Sequence, residues 1–158
     1  MKYSDTRPLI KSGDVLAWSH RGWKTWYDIK LQLVRIWTRS EFCHVGVAWV
    51  LADRVFVLEA VSSGVRMMPL SRLLPCAWIS RGIWNEECER RALKALGSPY
   101  SQWDAIRGSL GLLALGANNR WQCSEYVSYV LGLLFLTPAK MVSALHQYEE
   151  RTLQWLNP

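Results

Sequence analysis

Two apolar runs rich in β-branched and aromatic residues, residues 42–51 (FCHVGVAWVL) and 54–61 (RVFVLEAV), are separated only by Ala52-Asp53. Runs of this length and composition read as strands, and so short a joint makes them an antiparallel hairpin. If the turn falls at Ala52-Asp53, residues whose numbers sum to about 105 face each other. Glu59 then lies opposite Gly46, near His44, and a register offset of two would bring His44 and Glu59 level. A buried Glu at the end of VFVLEA needs a partner, and an imidazole N–H is a suitable one.

The segments around the hairpin extend this pattern. Asp14 to Ser19 reads as a strand entered by the Gly13-Asp14 turn, and Gly64 to Pro69 and Cys76 to Ser80 as two further short strands. Ile29, Leu33, Ile36 and Trp37 recur at helical spacing and predict a helix over Trp26 to Trp37. Asn85 followed by Glu86 and Glu87 marks a helix start, with the helix running to about Leu96. Further helices are expected over Trp103 to Leu115, Cys123 to Leu134, and from Thr137-Pro138 to about Gln147. Strands in the middle with helices around them predict an α+β fold.

The chain of 158 residues, half of them hydrophobic, suits one domain with a single core, and no linker, repeat or low-complexity tract divides it. No stretch reaches the apolar length needed to span a bilayer, and the beginning MKYSDTRPLIKSGD carries no apolar signal region. Cytoplasmic synthesis in a reducing compartment is therefore expected, with Cys43, Cys76, Cys88 and Cys123 as free thiols. Their spacing gives neither a CxxC pair nor a Cys/His zinc pattern, and no metal or other cofactor is expected.

The formal charge of +6 is moderate and its basic residues are scattered; the densest stretch runs from Lys11 through Arg39 and includes His20, Arg21, Lys24, Lys30 and Arg35. Such a stretch can face an anionic polymer or an acidic membrane surface, although a solvated helix face is the plainer reading. Nucleic acid is not expected as a partner, and the oligomeric state is not readable from the sequence. Of the ten tryptophans, Trp18, Trp49 and Trp78 sit inside predicted strands and are assigned to the core. Trp23, Trp26, Trp37, Trp103 and Trp121 fall in segments expected near a cleft, where aromatics stack on ligands.

His44, Glu59 and Cys123 are the residue types of a thiol-hydrolase site. A thiol needs a base to become thiolate, and the base needs a third group to fix its tautomer and orientation. Cys123 follows the polar loop Asn118-Asn119-Arg120 and opens the apolar helix CSEYVSYVL, where the helix dipole lowers a thiol pKa. Cys43, Cys76 and Cys88 lack this setting and read as small buried hydrophobes. The backbone N–H groups of Cys123 and Ser124, at a helix start, are candidate oxyanion donors. Tyr100 after Pro99, Gln122 beside the thiol, and Trp23 and Trp26 are candidate substrate contacts. Glu125, in the first turn of the helix, is assigned a structural role.

The order of these residues resembles the circularly permuted, YiiX-like branch of the papain-like, NlpC-type cysteine hydrolases. Gly13-Asp14-Val15, His44-Val45-Gly46, Leu58-Glu59-Ala60 and Cys123-Ser124-Glu125 carry the resemblance, with Gly64-Val65-Arg66, Pro69-Leu70 and Ser98-Pro99-Tyr100 between them. It spans residues 12 to 142 and implies a small, barrel-like antiparallel sheet packed against the Cys helix. Two features depart from the family pattern: Ser101 follows Tyr100, with the acid delayed to Asp104, and a basic, Trp-rich insertion occupies about His20 to Arg39. The insertion is expected to overhang the cleft.

The resemblance implies acyl-enzyme hydrolysis of an amide, isopeptide or ester bond, with a peptidoglycan stem peptide as the leading substrate. Acyl-lipids and ubiquitin-like conjugates are the alternatives taken from related branches. A cell-wall substrate would require release by lysis or carriage in a virus particle, and the small size and basic insertion suit a bacteriophage-encoded protein. A binding module using the same pocket for a peptide or acyl group is the non-enzymatic alternative. The presence of all three site residues argues for the enzyme.

Overall fold

The hairpin around Ala52-Asp53 forms in the interior of a six-stranded antiparallel sheet with strand order β4-β3-β2-β1-β5-β6. The strands are β1 (Val15–Trp18), β2 (His44–Leu51), β3 (Arg54–Val61), β4 (Gly64–Pro69), β5 (Cys76–Ile79) and β6 (Leu153–Leu156). The helices are α1 (Tyr3–Thr6), α2 (Glu86–Ala95) and α3 (Cys123–Leu131). This computed structural model describes residues 1–19, 42–100, 121–133, 140–143 and 153–158. The helices expected over Trp26 to Trp37 and Trp103 to Leu115 lie outside the described residues. Of the last expected helix only residues 140–143 are described, and they are helical.

The turn is tight because Ala52 and Asp53 both take positive φ, 45° and 61°. That geometry matches the twist of the flanking strands and fixes their register. Leu51 pairs with Arg54 and Val47 with Leu58, so facing residues follow the expected pairing and no offset of two occurs.

Each face of the sheet has its own apolar cluster. Val15, Val45, Val47, Leu58, Ala60 and Val65 point to the side covered by α2 and α3. Leu16, Ala48, Val55, Val57, Leu70 and Trp78 pack on the other side, with Tyr3 of α1 against them. Strand alternation accounts for the split, since successive side chains point to opposite faces. Burying one such aliphatic side chain contributes about 1.5–3 kcal/mol. Leu58→Ala, at a fully buried position, should cost about 2–5 kcal/mol. Trp49 and Trp78 are buried as expected, while Trp18 is half-buried.

α2 starts at the expected cap: Asn85 Oδ1 accepts the Cys88 N–H at 2.9 Å, and Glu86, Glu87 and Glu89 lie in the first turn. Cys88, Ala92 and Ala95 form its buried stripe, small enough to bring it close to α3. Arg90 and Arg91 pair with Glu87, and Arg91 also donates to Tyr129 O of α3 at 3.2 Å.

α3 is shorter than expected. It ends at Leu131 because Gly132 takes the left-handed conformation at φ 64°, a C-terminal stop that the apolar run continuing to Leu134 obscures. β6 had no counterpart among the sequence expectations. It pairs with β5, and the N-terminus extends that edge through Tyr3 N to Asn157 O at 2.8 Å and Asn157 N to Met1 O at 2.9 Å.

Among the described residues the sheet does not close. β4 and β6 are its two edges, so the described architecture is an open α+β sheet rather than a barrel. No helix among the described residues is long and apolar enough to cross a membrane.

Candidate active site

The site forms where the sheet comes apart. Pairing between β2 and β3 stops at Val47 and Leu58. Beyond that point residues 44–46 pair only with β1, and residues 59–61 only with β4. In an antiparallel ladder alternate N–H groups point to alternate neighbours. Ala48 N–H donates to Asp14 O of the β1 entry, so by alternation the N–H of Val45 turns away from β1 and into the opening.

Cys123, the first residue of α3, sits at that opening. Its sulfur accepts the N–H groups of Val45 and Ser124 and is in hydrogen-bond contact with the His44 side chain. Alternation places His44 and Glu59 on the face of Ala48 and Val57, whereas α3 packs on the face of Val45 and Val47. The parted strands are what allow the thiol to reach the imidazole.

His44 Nε2 lies 2.6 Å from Glu59 Oε2. Gly46 is the residue that would face Glu59 if the ladder continued, so the pair is diagonal, within reach of long side chains on one sheet face. With Nε2 held by the carboxylate, Nδ1 is the ring nitrogen left for the thiol proton. The Trp18 ring lies against the imidazole, with centroids 5.3 Å apart, and is itself fixed by its indole N–H donating to Leu73 O at 2.5 Å.

Electrostatics follow from this packing. Burial opposes a charge on His44, but the hydrogen bonds and negative charges of Cys123 and Glu59 outweigh it and push its pKa up to about 9. Burial likewise opposes a Cys123 thiolate. The His44 hydrogen bond and charge, joined by the two backbone N–H groups, hold the thiol below its ordinary value. The arrangement therefore favours a thiolate–imidazolium pair. By contrast, burial pushes Cys76 up to about 12. All four cysteines are free thiols.

Glu59 is only 2% exposed, and burial alone would raise its pKa. His44, and then Arg66, overcome that and hold it below the usual carboxylate range. Arg66 stands directly opposite Glu59 across β3 and β4 and donates to Oε1 from Nε at 2.9 Å and Nη2 at 2.8 Å. Arg66 and Trp18 contact the site although neither was a candidate from the sequence. For Arg66 a signal existed: a turn at Ser62-Ser63 after the VFVLEA strand puts it level with Glu59.

The other candidates fall in different places. Gln122 is the buried N-cap of α3, and its backbone N–H donates to Glu125 Oε2 at 3.4 Å in a capping box. Gln122 and Glu125 thus form the support of the helix start. The Ser124 backbone N–H lies at the Cys123 sulfur. The Ser124 hydroxyl is fully buried and has no hydrogen-bond partner among the described residues.

Tyr100 is half-buried against the core beneath α2 and α3 and bridges Trp121, whose ring lies 4.7 Å from that of Tyr129. Trp23 and Trp26, Trp37 and Trp103, and the basic segment that contains the first three, lie outside the described residues. Among the described residues no group of three or more His, Cys, Asp or Glu side chains is arranged to hold a metal ion.

Asp14 builds the frame on which the site stands. Buried at the β1 entry, it accepts N–H groups from Lys11 at 2.8 Å, Trp78 Nε1 at 2.9 Å, Arg81 at 2.7 Å and Gly82 at 2.6 Å. Gly13 precedes it at φ 88°, and a Cβ there would fall 2.1 Å from Ile83 O, so the turn requires glycine.

No protein family and no curated sequence matches the chain. Its fold is similar to that of the metalloprotein YiiX from Escherichia coli O157:H7, at a TM-score of 0.54 and 20% identity over 77% of this chain. The match covers 64% of the YiiX chain, so this protein corresponds to about two thirds of that structure.

Proposed function

We propose that this protein is a thiol hydrolase in which Cys123 is the nucleophile, His44 the base and acid, and Glu59 the group that orients His44. The continuous contact from the buried Cys123 thiol through half-buried His44 to buried Glu59 carries the reading. Similarity of fold to YiiX agrees with the resemblance to the permuted NlpC-type hydrolases, and the wider permuted papain-like architecture is proposed on the same grounds.

In this reading the Cys123 thiolate attacks the carbonyl carbon of an amide or ester, and the carbonyl oxygen becomes an oxyanion. The Cys123 backbone N–H, at a helix start, is the donor best placed to stabilise it. The imidazolium of His44 gives its proton to the leaving amine or alkoxide as the bond to carbon breaks. Neutral His44 then takes a proton from water, which attacks the thioester and releases the acid, and the ion pair is restored. Glu59 keeps the imidazole plane fixed throughout and offsets its charge.

The leading substrate is a peptidoglycan stem peptide, taken from the family resemblance; acyl-lipids and ubiquitin-like conjugates are the competing classes. Tyr100 and the segment containing Trp23 and Trp26 are proposed to shape substrate choice rather than the chemistry. Three thiol-directed probes separate the classes: a chloromethyl ketone on a stem peptide, one on a long acyl chain, and a ubiquitin-like vinyl sulfone. The expected result is a mass adduct on Cys123 with the peptide probe, absent in Cys123→Ala. Failure of all three to modify Cys123 would contradict the hydrolase.

A further inference from the structure

We propose that Arg66 is a positioning residue of this site: from β4 it holds one oxygen of the Glu59 carboxylate so that the other is left for His44. The inference rests on the thiol-hydrolase reading above and extends it to a residue outside the Cys–His–Glu set.

Geometry carries it. Glu59 and Arg66 are direct cross-strand partners, so the contact is set by the backbone ladder. Both Arg66 donors converge on Oε1, at 2.9 Å from Nε and 2.8 Å from Nη2, while Oε2 faces His44 Nε2 at 2.6 Å. Each carboxylate oxygen has one duty, and rotation of the group would break both. β4 is itself pinned at its start, where Val65 N donates to Ser98 O and Gly97 N to Val65 O, each at 2.9 Å.

Charge supplies the need. When His44 passes its proton to the leaving group it becomes neutral, and a carboxylate as buried as Glu59 would then stand without a countercharge. A guanidinium keeps its charge at every step. Arg66 therefore lets Glu59 remain a carboxylate in both halves of the cycle. Among the described residues, the charged groups facing Glu59 are His44 from β2 and Arg66 from β4, with Cys123 of α3 beyond His44. The Arg66 side chain is 41% exposed, so replacing it leaves no cavity in the core.

The test is the pH dependence of Cys123 alkylation by iodoacetamide, with the melting midpoint, for wild type, Arg66→Lys and Arg66→Gln. Removing the fixed positive charge disfavours the thiolate, and a Glu59 that takes up a proton more readily weakens the imidazolium that pairs with it, so thiolate formation requires higher pH. Alkylation of Arg66→Gln at about pH 6 should fall roughly threefold to tenfold, an upward move of about half to one pH unit in the acid limb. Arg66→Lys, which keeps the charge and loses the two-pronged hold, should show a smaller displacement in the same direction, and it decides the matter alone if Arg66→Gln does not fold. An unmoved acid limb overturns the proposal, as does a uniform loss at all pH values accompanied by a lower melting midpoint. A wild-type profile with no limb below that of a free thiol would remove the hydrolase reading itself, and it would be visible before any Arg66 variant is compared.

Discussion

His44 and Glu59 are joined by a 2.6 Å hydrogen bond although they do not face each other across β2 and β3. Their contact is diagonal, made where the two strands have already parted, and the same parting admits the Cys123 thiol. One local feature, the end of a ladder, thus assembles groups from three separate elements.

Thiol reactivity should be confined to Cys123. At about pH 6 iodoacetamide should modify it well before the other three thiols, because its ionised form has an imidazolium and two N–H donors. Cys76, pushed up to about 12 by burial, should stay unmodified until the protein unfolds. Peptide mapping of the labelled protein reads this directly, and equal labelling of Cys123 and Cys76 in the native state would argue against an activated thiol.

Stability should be flat across the neutral to alkaline range. His44, raised from 6.5 to about 9, contributes stability that is complete below 6.5 and is lost as pH rises toward 9. Cys123, lowered from 9.0, contributes in the opposite sense: complete above 9 and lost as pH falls through its folded value. Between about 6.5 and 9 the two changes offset each other, since folding then moves a proton from sulfur to nitrogen without net uptake. Below that window stability should decline, joined by the loss from Glu59 as pH drops below its ordinary 4.5. Melting midpoints measured from about pH 5 to 9 test this; a steady fall through the alkaline half would mean that the thiol is not ionised in the folded protein.

Glu59→Gln should separate orientation from charge. The amide can still hold Nε2, but it cannot offset an imidazolium, and Arg66 loses its anionic partner. We expect kcat/KM on a small ester to fall by roughly 10²-fold, the scale of a general acid–base contribution, with the acid limb displaced upward. A variant as active as wild type across the whole pH range would show that Glu59 is only a structural partner for Arg66.

Asp14→Ala should damage the fold and spare the chemistry. It leaves the N–H groups of Lys11, Trp78, Arg81 and Gly82 without their acceptor, and a loss of about 3 kcal/mol or more is expected. Denaturant titration gives the stability, and Cys123 alkylation in the fraction that remains folded gives the site. A stability within experimental scatter of wild type would mean that water replaces the carboxylate.

Much of this was legible in the chain because the signals are local. Alternation and a two-residue joint set the hairpin and its register, Asn85 with its trailing acids set the start of α2, and the polar loop before an apolar run put Cys123 at a helix start. Residue type and order were enough to single out His44, Glu59 and Cys123. α3 was drawn too long because its apolar run continues past Gly132, and only the backbone conformation there reveals the stop. β6 was missed because a four-residue edge strand has too little periodicity to stand out. What tertiary structure alone decided is where the ladder stops: that β2 and β3 part after Val47 and Leu58, that the opening meets the start of α3, and that Trp18 packs against His44 there. Those contacts join residues far apart in the sequence, and their energy depends on burial and charge that no short window of residues contains.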